Sequence, residues 1–592
     1  MNKEYEKNCD AIRRQIADMP QGGVTYKKIN GKSYAYYQWR ENGKQRNRRI
    51  KDDEIAGLVE QIEERKRLEG YLRESEIPYM STPRVRHSFN CDVRIGDSLR
   101  RFVEPVSGYV KRDCYYQLHE YIYGSCNDKV FILYGLRRTG KTTLVRQLIG
   151  EMADSDCAKT VFLQINEHNT LAEVNADLRS LEEQGYRYVF LDEVTLMSDF
   201  IEGAALFSDI YASSGMKLVL SGTDSLGFVF SQDEQLYDRC IMLHTTHISY
   251  GEFEKVQGIH GIDNYIRYGG TMSMSGVNYN SDSTFSNIKN ANDYVDSAIA
   301  RNIQHSLKYY QYGGHFRHLK EIYDNGELTN VINRVVEDIN HRFALEVLNR
   351  EFKSHDLAIS ANNLRRDRHE PSDVLDKVDA DNVNNELKLL MSIFDVDERK
   401  IKLDKIHVSE IEEYLRLLDI VVPIETRSIN GSIDIARTGI IQPGLRYAQA
   451  LHLINTLMKD PAFAGVSLVE RRKITSRIES EILGRMLEDI ILVETQVRYP
   501  DKEVFALQFD VGEFDMVVFD NESASCEIYE IKHSTEIAKE QYRHLTDAGK
   551  CADTEFHYGA ITGRYVIYRG QNAEVDGVKY INAEEYLKRV AR

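Results

Sequence analysis

The sequence predicts an α/β multidomain protein, and three observations support this class. The chain has 592 residues, which corresponds to about three to five domains of ordinary size. An apolar, β-rich run at residues 129–134 leads through a glycine-rich turn into a segment with helical spacing at residues 143–149. Asn-Gly pairs at positions 42–43 and 430–431 separate β-rich runs, as in β-hairpins.

The glycine-rich turn at residues 135–142 reads G-x-x-x-x-G-K-T. Between a strand and a helix, this pattern predicts a phosphate-binding loop, because backbone N–H groups and the helix N-terminus converge on the phosphates. Lys141 would contact the β- and γ-phosphates, and the Thr142 hydroxyl would hold Mg²⁺. We therefore predict an ATP and Mg²⁺ site, with Gly135, Gly140 and Thr143 in the same nucleotide-binding loop.

Two acids at the end of an apolar run form the second motif, about 50 residues after the loop. Asp192 is expected to bind Mg²⁺, and Glu193 to polarise the attacking water. A further strand at residues 217–220 ends in Ser221-Gly222-Thr223, whose hydroxyls could sense the γ-phosphate. The alternative is a polar strand end without a role.

Composition indicates which partners and which cellular compartment suit the chain. A formal net charge of −17 argues against uniform coating of nucleic acid, although a local basic site remains compatible with it. The sequence has no run of about 18 apolar residues and no apolar signal-peptide core near Met1. Eight scattered cysteines without a C-x-x-C pair fit reduced thiols. These features predict a cytoplasmic protein without a membrane segment.

Residues 1–80 are expected to form a separate β-hairpin and helix module. Its basic residues interleave with Tyr34, Tyr36, Tyr37 and Trp39, a combination that suits phosphate contact and base stacking. A solvated hairpin with its aromatics in a small core is the alternative. The basic set is Lys27, Lys28, Lys32, Arg40, Lys44, Arg46, Arg48, Arg49 and Lys51.

The middle of the chain is expected to contain three parts. A nucleotide domain at residues 95–270 precedes a long loop at 271–292, and helical patterns dominate residues 292–400. A winged-helix-like segment at 401–470 would open with a capping box between Ser409 and Glu412. Winged helices bind DNA in some proteins and serve only as packing modules in others.

Residues 471–592 carry a second set of chemical residues. A strand from about 513 to 519 begins with acids, and a second strand from about 526 ends in Glu530-Ile531-Lys532. Glu530 and Lys532 share one face of their strand, and Asp515 on the neighbouring strand can join them.

Two carboxylates make a hard oxygen site for Mg²⁺ or Mn²⁺, and Lys532 would orient water or stabilise developing charge. Glu488 from the preceding helix could complete the metal site, and Gln541 is a weaker candidate. The alternative is a cross-strand salt bridge between Lys532 and the acids.

Together these motifs resemble a family of bacterial and archaeal AAA-type P-loop ATPases. The resemblance implies a P-loop ATPase core, a helical and winged-helix region and a C-terminal domain similar to PD-(D/E)XK restriction-endonuclease-like nucleases. It covers residues 95–592 and includes Arg239, ahead of residues 248–253, and the Tyr268-Gly269-Gly270 corner. Arg239 looks like the arginine that such proteins place before a similar segment. If it acts as an arginine finger on a neighbour's γ-phosphate, the protein would be a homo-oligomer.

The function expected from these features is an ATP-dependent ATPase directed at nucleic acid, with DNA favoured, and with a nuclease-like C-terminal domain. Family analogy suggests defence against foreign DNA as its setting. A nucleotide-controlled signalling or assembly switch, whose C-terminal domain binds a partner without cutting, is the main alternative. A motor or loader that grips DNA with this domain is the third.

Overall fold

The computed structural model describes most of the chain after residue 88 and part of the chain before it. The described residues are 19–20, 23–29, 32–41, 44–51, parts of 54–65, 89–126, 128–223, 227–229, 235–272, 284–309, 316–363, 405–430, 435–457 and 467–590. They belong to two compact units, Met1–Ser88 and Phe89–Arg592. Among these residues, no helix is both long and apolar enough to cross a membrane.

The first unit contains an antiparallel sheet in which β2 lies between β1 and β3. The chain reverses between Glu41 and Lys44, which face each other, as the Asn-Gly pair at 42–43 predicts. Ala35 and Ile50 are buried and joined by a backbone hydrogen bond of 2.9 Å. The sequence predicted two strands and missed the first. The strands are β1 Gly23–Ile29, β2 Lys32–Glu41 and β3 Lys44–Arg49.

A mostly parallel sheet forms the first half of the second unit, with strand order β4-β6-β7-β8-β5-β9. Only β4 pairs antiparallel within it. The inner strands are apolar along their length because helices cover both faces of a parallel sheet. The strands are β4 Asp92–Arg94, β5 Val130–Tyr134, β6 Thr160–Gln164, β7 Tyr188–Asp192, β8 Lys217–Gly222 and β9 Cys240–His244. This mixed α/β arrangement agrees with the predicted P-loop core.

The helices of this half are α1 Gly96–Val103, α2 Tyr115–Tyr123, α3 Lys141–Glu151, α4 Asp154–Cys157, α5 Leu171–Glu183, α6 Phe200–Gly203, α7 Tyr250–Gln257 and α8 Ile262–Tyr268. Helix α5 begins with a capping box in which Thr170 accepts a hydrogen bond from Glu173 N. A π-helical turn spans Phe207–Ala212.

A helical region follows. It starts earlier than the sequence predicted, because the Asn287 side chain accepts a hydrogen bond from Asn290 N and caps a helix at Ile288. The helices are α9 Ile288–Tyr294, α10 Arg301–Tyr309, α11 Arg317–Asp324 and α12 Leu328–Asn363, with a π-helical stretch at Val295–Ala300. The predicted helical residues 364–400 lie outside the described residues.

The segment that the sequence predicts to be winged-helix-like contains α13 Lys405–Leu417, β10 Val421–Ser428, β11 Ile435–Ile440 and α14 Pro443–Leu457. The predicted capping box is wrong, because Ser409 and Glu412 both lie inside α13 and Glu412 instead pairs with Arg342. Strands β10 and β11 pair antiparallel, as predicted around the second Asn-Gly pair. Strand β10 also pairs in parallel with the next strand of the chain, so this hairpin extends the C-terminal sheet.

The C-terminal sheet is mixed and has strand order β11-β10-β12-β13-β14-β15-β17-β16. Its remaining strands are β12 Glu503–Gln508, β13 Glu513–Asp520, β14 Ser525–Lys532, β15 Ala560–Tyr568, β16 Ala573–Val575 and β17 Val578–Asn582. The accompanying helices are α15 Leu468–Arg498, α16 Ala548–Tyr558 and α17 Ala583–Val590.

One hydrophobic core connects the two halves of the second unit. Phe253 of α7 and Ile262 of α8 belong to the same buried cluster as Met486 of α15, Tyr529 of β14 and Leu587 of α17. Apolar contacts of this kind dominate the packing energy of a domain. The nucleotide half and the C-terminal sheet are therefore packed against each other.

Candidate nucleotide and acidic sites

The phosphate-binding loop connects β5 to α3 in the predicted geometry. Gly135 has a φ of 138°, and a Cβ there would lie 2.7 Å from Thr245 Oγ1, so this position requires glycine. Gly140, with a φ of 91°, precedes the first residue of α3. Backbone N–H groups at this helix terminus are suited to bind an anion.

Lys141 lies buried at the start of α3 and folds back over the loop. Its Nζ donates to the carbonyl oxygens of Gly135 at 2.8 Å and Leu136 at 2.9 Å. Burial lowers its pKa to about 8, although the nearby acids Glu193 and Asp192 act in the opposite direction. A phosphate group placed in the loop would therefore meet a cation that has lost its hydration.

The acid pair lies beside this loop because β8 separates β5 from β7 by one strand. The Thr142 hydroxyl donates to Asp192 Oδ2 at 2.9 Å. Ser221, at the end of β8, donates to the other oxygen of Asp192. These contacts bring Thr142, Asp192 and Ser221 together, as the sequence predicted, although Ser221 holds an acid in this structure.

Glu193 occupies the left-handed region, with a φ of 60°. Its Oε2 accepts hydrogen bonds from Thr223 N at 3.2 Å and Thr223 Oγ1 at 3.1 Å. Burial raises the pKa of Glu193, the charge of Asp192 raises it further, and Lys141 opposes both. A carboxyl with a raised pKa is better suited to accept a proton from water near neutral pH.

The donor set beside the loop fits Mg²⁺, since a threonine hydroxyl and a carboxylate oxygen, both hard ligands, lie 2.9 Å apart. Thr142 and Asp192 would hold the ion. When bound, Mg²⁺ would neutralise phosphate charge.

Arg112 is a residue of this site that the sequence analysis missed. It is 5% exposed and pairs with Glu252, with NH2 at 2.7 Å from Oε2. Its NH1 also donates to the carbonyl oxygens of Thr139, in the loop, at 2.6 Å and Thr245 at 2.9 Å. Arg112 thereby fixes the loop to the strand end after β9. Its partners lie up to 140 residues away, so no local pattern could have identified it.

Arg239 lies at the opposite edge of the sheet from the loop. It precedes β9, whose first residue, Cys240, pairs with Val130 at the start of β5. The loop follows the other end of β5, roughly 15 Å away at the rise of a parallel strand. Its half-exposed side chain pairs with Asp209 at 3.2 Å. This position does not let Arg239 reach the nucleotide site of its own chain.

The acidic centre of the C-terminal sheet forms where β13 and β14 pair antiparallel. Lys532 Nζ lies 2.7 Å from Asp515 Oδ2 and 2.6 Å from Glu530 Oε2. Asp515 also accepts a hydrogen bond of 2.7 Å from Ile531 N. Both acids are at least 95% buried. The structure therefore brings together Asp515, Glu530 and Lys532.

The pKa values of the two acids shift in opposite directions. Burial alone would raise the pKa of Asp515, but Lys532 and the Ile531 N–H outweigh it and lower this pKa. Burial, and then the charge of Asp515, raises the pKa of Glu530. Glu530 Oε1 is buried and accepts no hydrogen bond from any described residue. This orphaned oxygen and the ionised Asp515 fit a divalent cation, which would polarise a phosphodiester when bound.

Glu488 and Gln541 line a 490 Å³ cleft beside Lys532, but neither joins the acid pair. Glu488 pairs with Arg485, and the Gln541 amide donates to Ser534 Oγ at 2.8 Å. Within the described ranges, no group of three His, Cys, Asp or Glu side chains is arranged to hold a metal. A second cleft of 580 Å³ opens on the other side of Lys532 and contains both Asp515 and Glu530.

Comparison with known proteins identifies two segments. Residues 127–254 match the AAA domain family, and residues 2–68 match a domain of unknown function (DUF6788). The chain therefore contains an AAA-type P-loop domain, which implies nucleotide binding, and the matched residues include the β5–α3 loop.

Other comparisons add little. No curated protein matches the chain. The solved structure of the Aeropyrum pernix Orc1 protein in complex with DNA aligns at 14% identity over 63% of this chain and 99% of that chain, with a TM-score of 0.22. A TM-score at this level does not establish a common fold.

Proposed function

We propose that this protein is an ATP-dependent, nucleic-acid-directed ATPase with a metal-dependent nuclease in its C-terminal domain. The observation that carries the ATPase part is the cluster of Lys141, Thr142, Asp192 and Glu193 around one phosphate-binding loop. Phosphoryl transfer to water needs a cation on the phosphates, hard ligands for Mg²⁺ and an acid that activates water, and these four side chains can supply them.

In this mechanism Lys141 and the N–H groups of the loop bind the phosphates, and Thr142 and Asp192 hold Mg²⁺. Glu193 accepts a proton from the water that attacks the γ-phosphorus. Thr223 keeps the Glu193 carboxylate in place, because it donates two hydrogen bonds to one oxygen. Ser221 and Thr223 lie at the end of β8 and contact Asp192 and Glu193. A movement of either carboxylate during the reaction would therefore displace this strand end.

The nuclease part is supported by the lysine and two buried acids on β13 and β14. Asp515 and Glu530 would hold a divalent cation, Mg²⁺ or Mn²⁺, and Lys532 would orient the attacking water or stabilise the developing charge. The clefts on either side of Lys532 offer space for a nucleic-acid strand. Nucleic acid, with DNA favoured, would also meet the exposed arginines of the N-terminal sheet.

The test is cleavage of plasmid, linear and single-stranded DNA with and without ATP and with Mg²⁺ or Mn²⁺. Asp515→Ala and Lys532→Ala should each abolish metal-dependent cleavage. ATP hydrolysis should persist in both variants, because the phosphate loop belongs to a different sheet. Cleavage by either variant at the wild-type rate would refute the nuclease assignment.

A second function, a nucleotide-controlled switch without cleavage, is favoured by one observation. Lys532 contacts both acids directly, so the lysine charge can compensate the buried carboxylates without a metal. In that case the C-terminal domain would bind a partner. The wild-type protein would then bind no Mn²⁺ at Asp515 and Glu530 in calorimetric titration and would cut no DNA under any nucleotide condition.

A further inference from the structure

The phosphate loop contains two adjacent arginines, and the structure gives them different environments. Arg138 adopts a left-handed conformation with a φ of 66°. Its guanidinium donates to Thr284 Oγ1 at 3.2 Å, and its carbonyl oxygen accepts from Met272 N at 2.7 Å. Arg138 is thus tied to the segment after α8.

Arg137 has an exposed side chain and a fixed backbone. The Tyr294 hydroxyl donates to its carbonyl oxygen at 3.3 Å, and Gln442 Nε2 donates to that hydroxyl at 2.8 Å. Tyr294 and Gln442 are both essentially fully buried. No hydrogen bond or ion pair joins the Arg137 guanidinium to another described residue. A cation on a rigid loop, without a protein partner, is preorganised to meet a charged ligand.

The charge of Arg137 acts on both ends of the nucleotide site. Burial is the main cause of the lowered pKa of Lys141, and Arg137 lowers this pKa further. Burial raises the pKa of Glu193, and Arg137 is among the cations that oppose this. Arg137 precedes Lys141 by four residues in the same loop, so its positive charge acts on the lysine and on Glu193.

The other arginines of the domain that bear on catalysis are unsuited to this position. Arg112 is committed to Glu252 and to the backbone of the loop. Arg239 lies at the far edge of the sheet. Among these four described arginines, Arg112, Arg137, Arg138 and Arg239, Arg137 is therefore the one best placed to meet the end of a bound triphosphate.

We propose that Arg137 is a catalytic residue that contacts the γ-phosphate of ATP bound to the same chain. The proposal rests on the ATPase function inferred above. In the hydrolysis step, the water oxygen forms a bond to the γ-phosphorus and Glu193 takes the water proton. The bond from the γ-phosphorus to the β–γ bridging oxygen breaks, and its electron pair leaves with ADP. Arg137 stabilises the negative charge on the γ-phosphoryl oxygens during this transfer.

The test compares Arg137→Ala and Arg137→Lys with the wild-type protein. The control is Arg101→Ala, which removes an exposed arginine from α1 of the same domain. We expect Arg137→Ala to lower kcat about 100-fold, the usual effect of losing one charge-stabilising donor. Binding of a non-hydrolysable ATP analogue should weaken, whereas ADP binding should stay unchanged, because ADP has no γ-phosphate. Arg137→Lys should recover part of the lost rate, and Arg101→Ala should behave as wild type.

The proposal fails if Arg137→Ala hydrolyses ATP at the wild-type rate, or if it loses affinity for ADP and the ATP analogue equally. A wild-type protein that hydrolyses no ATP would instead overturn the ATPase function and, with it, the role of Arg137. The two failures are therefore distinguishable by the wild-type measurement alone. ADP binding also shows that the variants are folded.

Discussion

Asp263 of α8, in the nucleotide half, contacts His533 of the C-terminal half, with Asp263 Oδ1 2.9 Å from His533 Nε2. The other oxygen of Asp263 pairs with Arg569 at 2.8 Å. The hydrogen bond with His533 is the main cause of the lowered pKa of Asp263. His533 directly follows Lys532 in the chain. This carboxylate thus connects helix α8 of the nucleotide half to the residue that follows Lys532 of the acidic centre.

We predict that Asp263→Asn uncouples the two centres. Asparagine keeps the size of the side chain but removes the negative charge that contacts His533 and Arg569. ATP hydrolysis should change less than about twofold, while any dependence of DNA cleavage on ATP should be lost. Asp501→Asn, at an exposed acid of the same half as His533, is the control. If cleavage by Asp263→Asn still responds to ATP as the wild type does, coupling takes another route.

Glu494 of α15 contacts the nucleotide half and should make the free energy of unfolding depend on pH. Its Oε1 accepts a hydrogen bond of 2.8 Å from Tyr250 N, and burial raises its pKa to about 8. The folded protein holds a proton that the unfolded chain releases above its ordinary pKa near 4.5. The contribution of protonated Glu494 to the free energy of unfolding is therefore fully present below pH 4.5 and is lost as the pH rises towards 8.

Between pH 6 and pH 8, ionisation of Glu494 should reduce the free energy of unfolding by a few kcal/mol at most, since a change of one unit in pKa corresponds to about 1.4 kcal/mol. Glu494→Gln stays neutral and retains an acceptor for Tyr250 N, so its free energy of unfolding should fall less over this range. Denaturant unfolding of both proteins at pH 6, 7 and 8 measures the difference. Parallel pH profiles for the two proteins would contradict the assignment to Glu494.

Arg239 is expected to act between subunits, because it lies at the edge of the sheet opposite its own phosphate loop. Both Arg239→Ala and Lys141→Ala proteins should be inactive alone, since an arginine finger contributes about 10³-fold or more to turnover. Mixed together they should recover part of the ATPase activity, because an intact loop can then meet an intact arginine. An established mixed oligomer without recovery would leave Arg239 a structural role through its contacts with Asp209 and the Gln235 carbonyl oxygen.

The N-terminal sheet should contribute to nucleic-acid binding through β3. Arg46, Arg48 and Arg49 are exposed on this strand, and Arg46 and Arg48 share a face. Replacing Arg46 and Arg48 with Ala should weaken DNA binding and reduce the salt dependence by roughly one unit of slope for each lost contact. Binding measured at several salt concentrations tests this, with Arg101→Ala as the control. An unchanged slope would mean that these arginines face another partner.

The sequence predicted the nucleotide site because its chemistry is encoded locally. An apolar strand, glycines with positive φ and a helix start occur within a few residues, as do the acids at the end of β7. The acidic centre on the paired strands β13 and β14 was also predictable from the sequence. In a strand that ends in Glu530-Ile531-Lys532, the two charged side chains lie on the same face.

The remaining features depend on contacts between distant residues. Gln442 reaches Tyr294 across 148 positions, and β10 pairs with a strand that starts about 80 residues later. Neither contact leaves a periodic pattern in the sequence. Ser409 failed as a cap because the helix already begins at Lys405, and a capping-box pattern also occurs inside helices. Only the structure explains why position 270 holds glycine. A Cβ at this position would lie 2.6 Å from Gln442 Cβ, which is too close for any other residue.

The most direct test of the account is ATP binding and hydrolysis by wild type, Lys141→Ala and Glu193→Gln. The wild-type protein should release phosphate from ATP with Mg²⁺, and Lys141→Ala should lose ATP binding or turnover. Glu193→Gln should bind ATP with near-wild-type affinity but hydrolyse it at least about 100-fold more slowly, because it lacks the proton acceptor. Equal hydrolysis rates for wild type and Glu193→Gln would contradict the role of Glu193, and absence of ATP binding by the wild type would contradict the account as a whole.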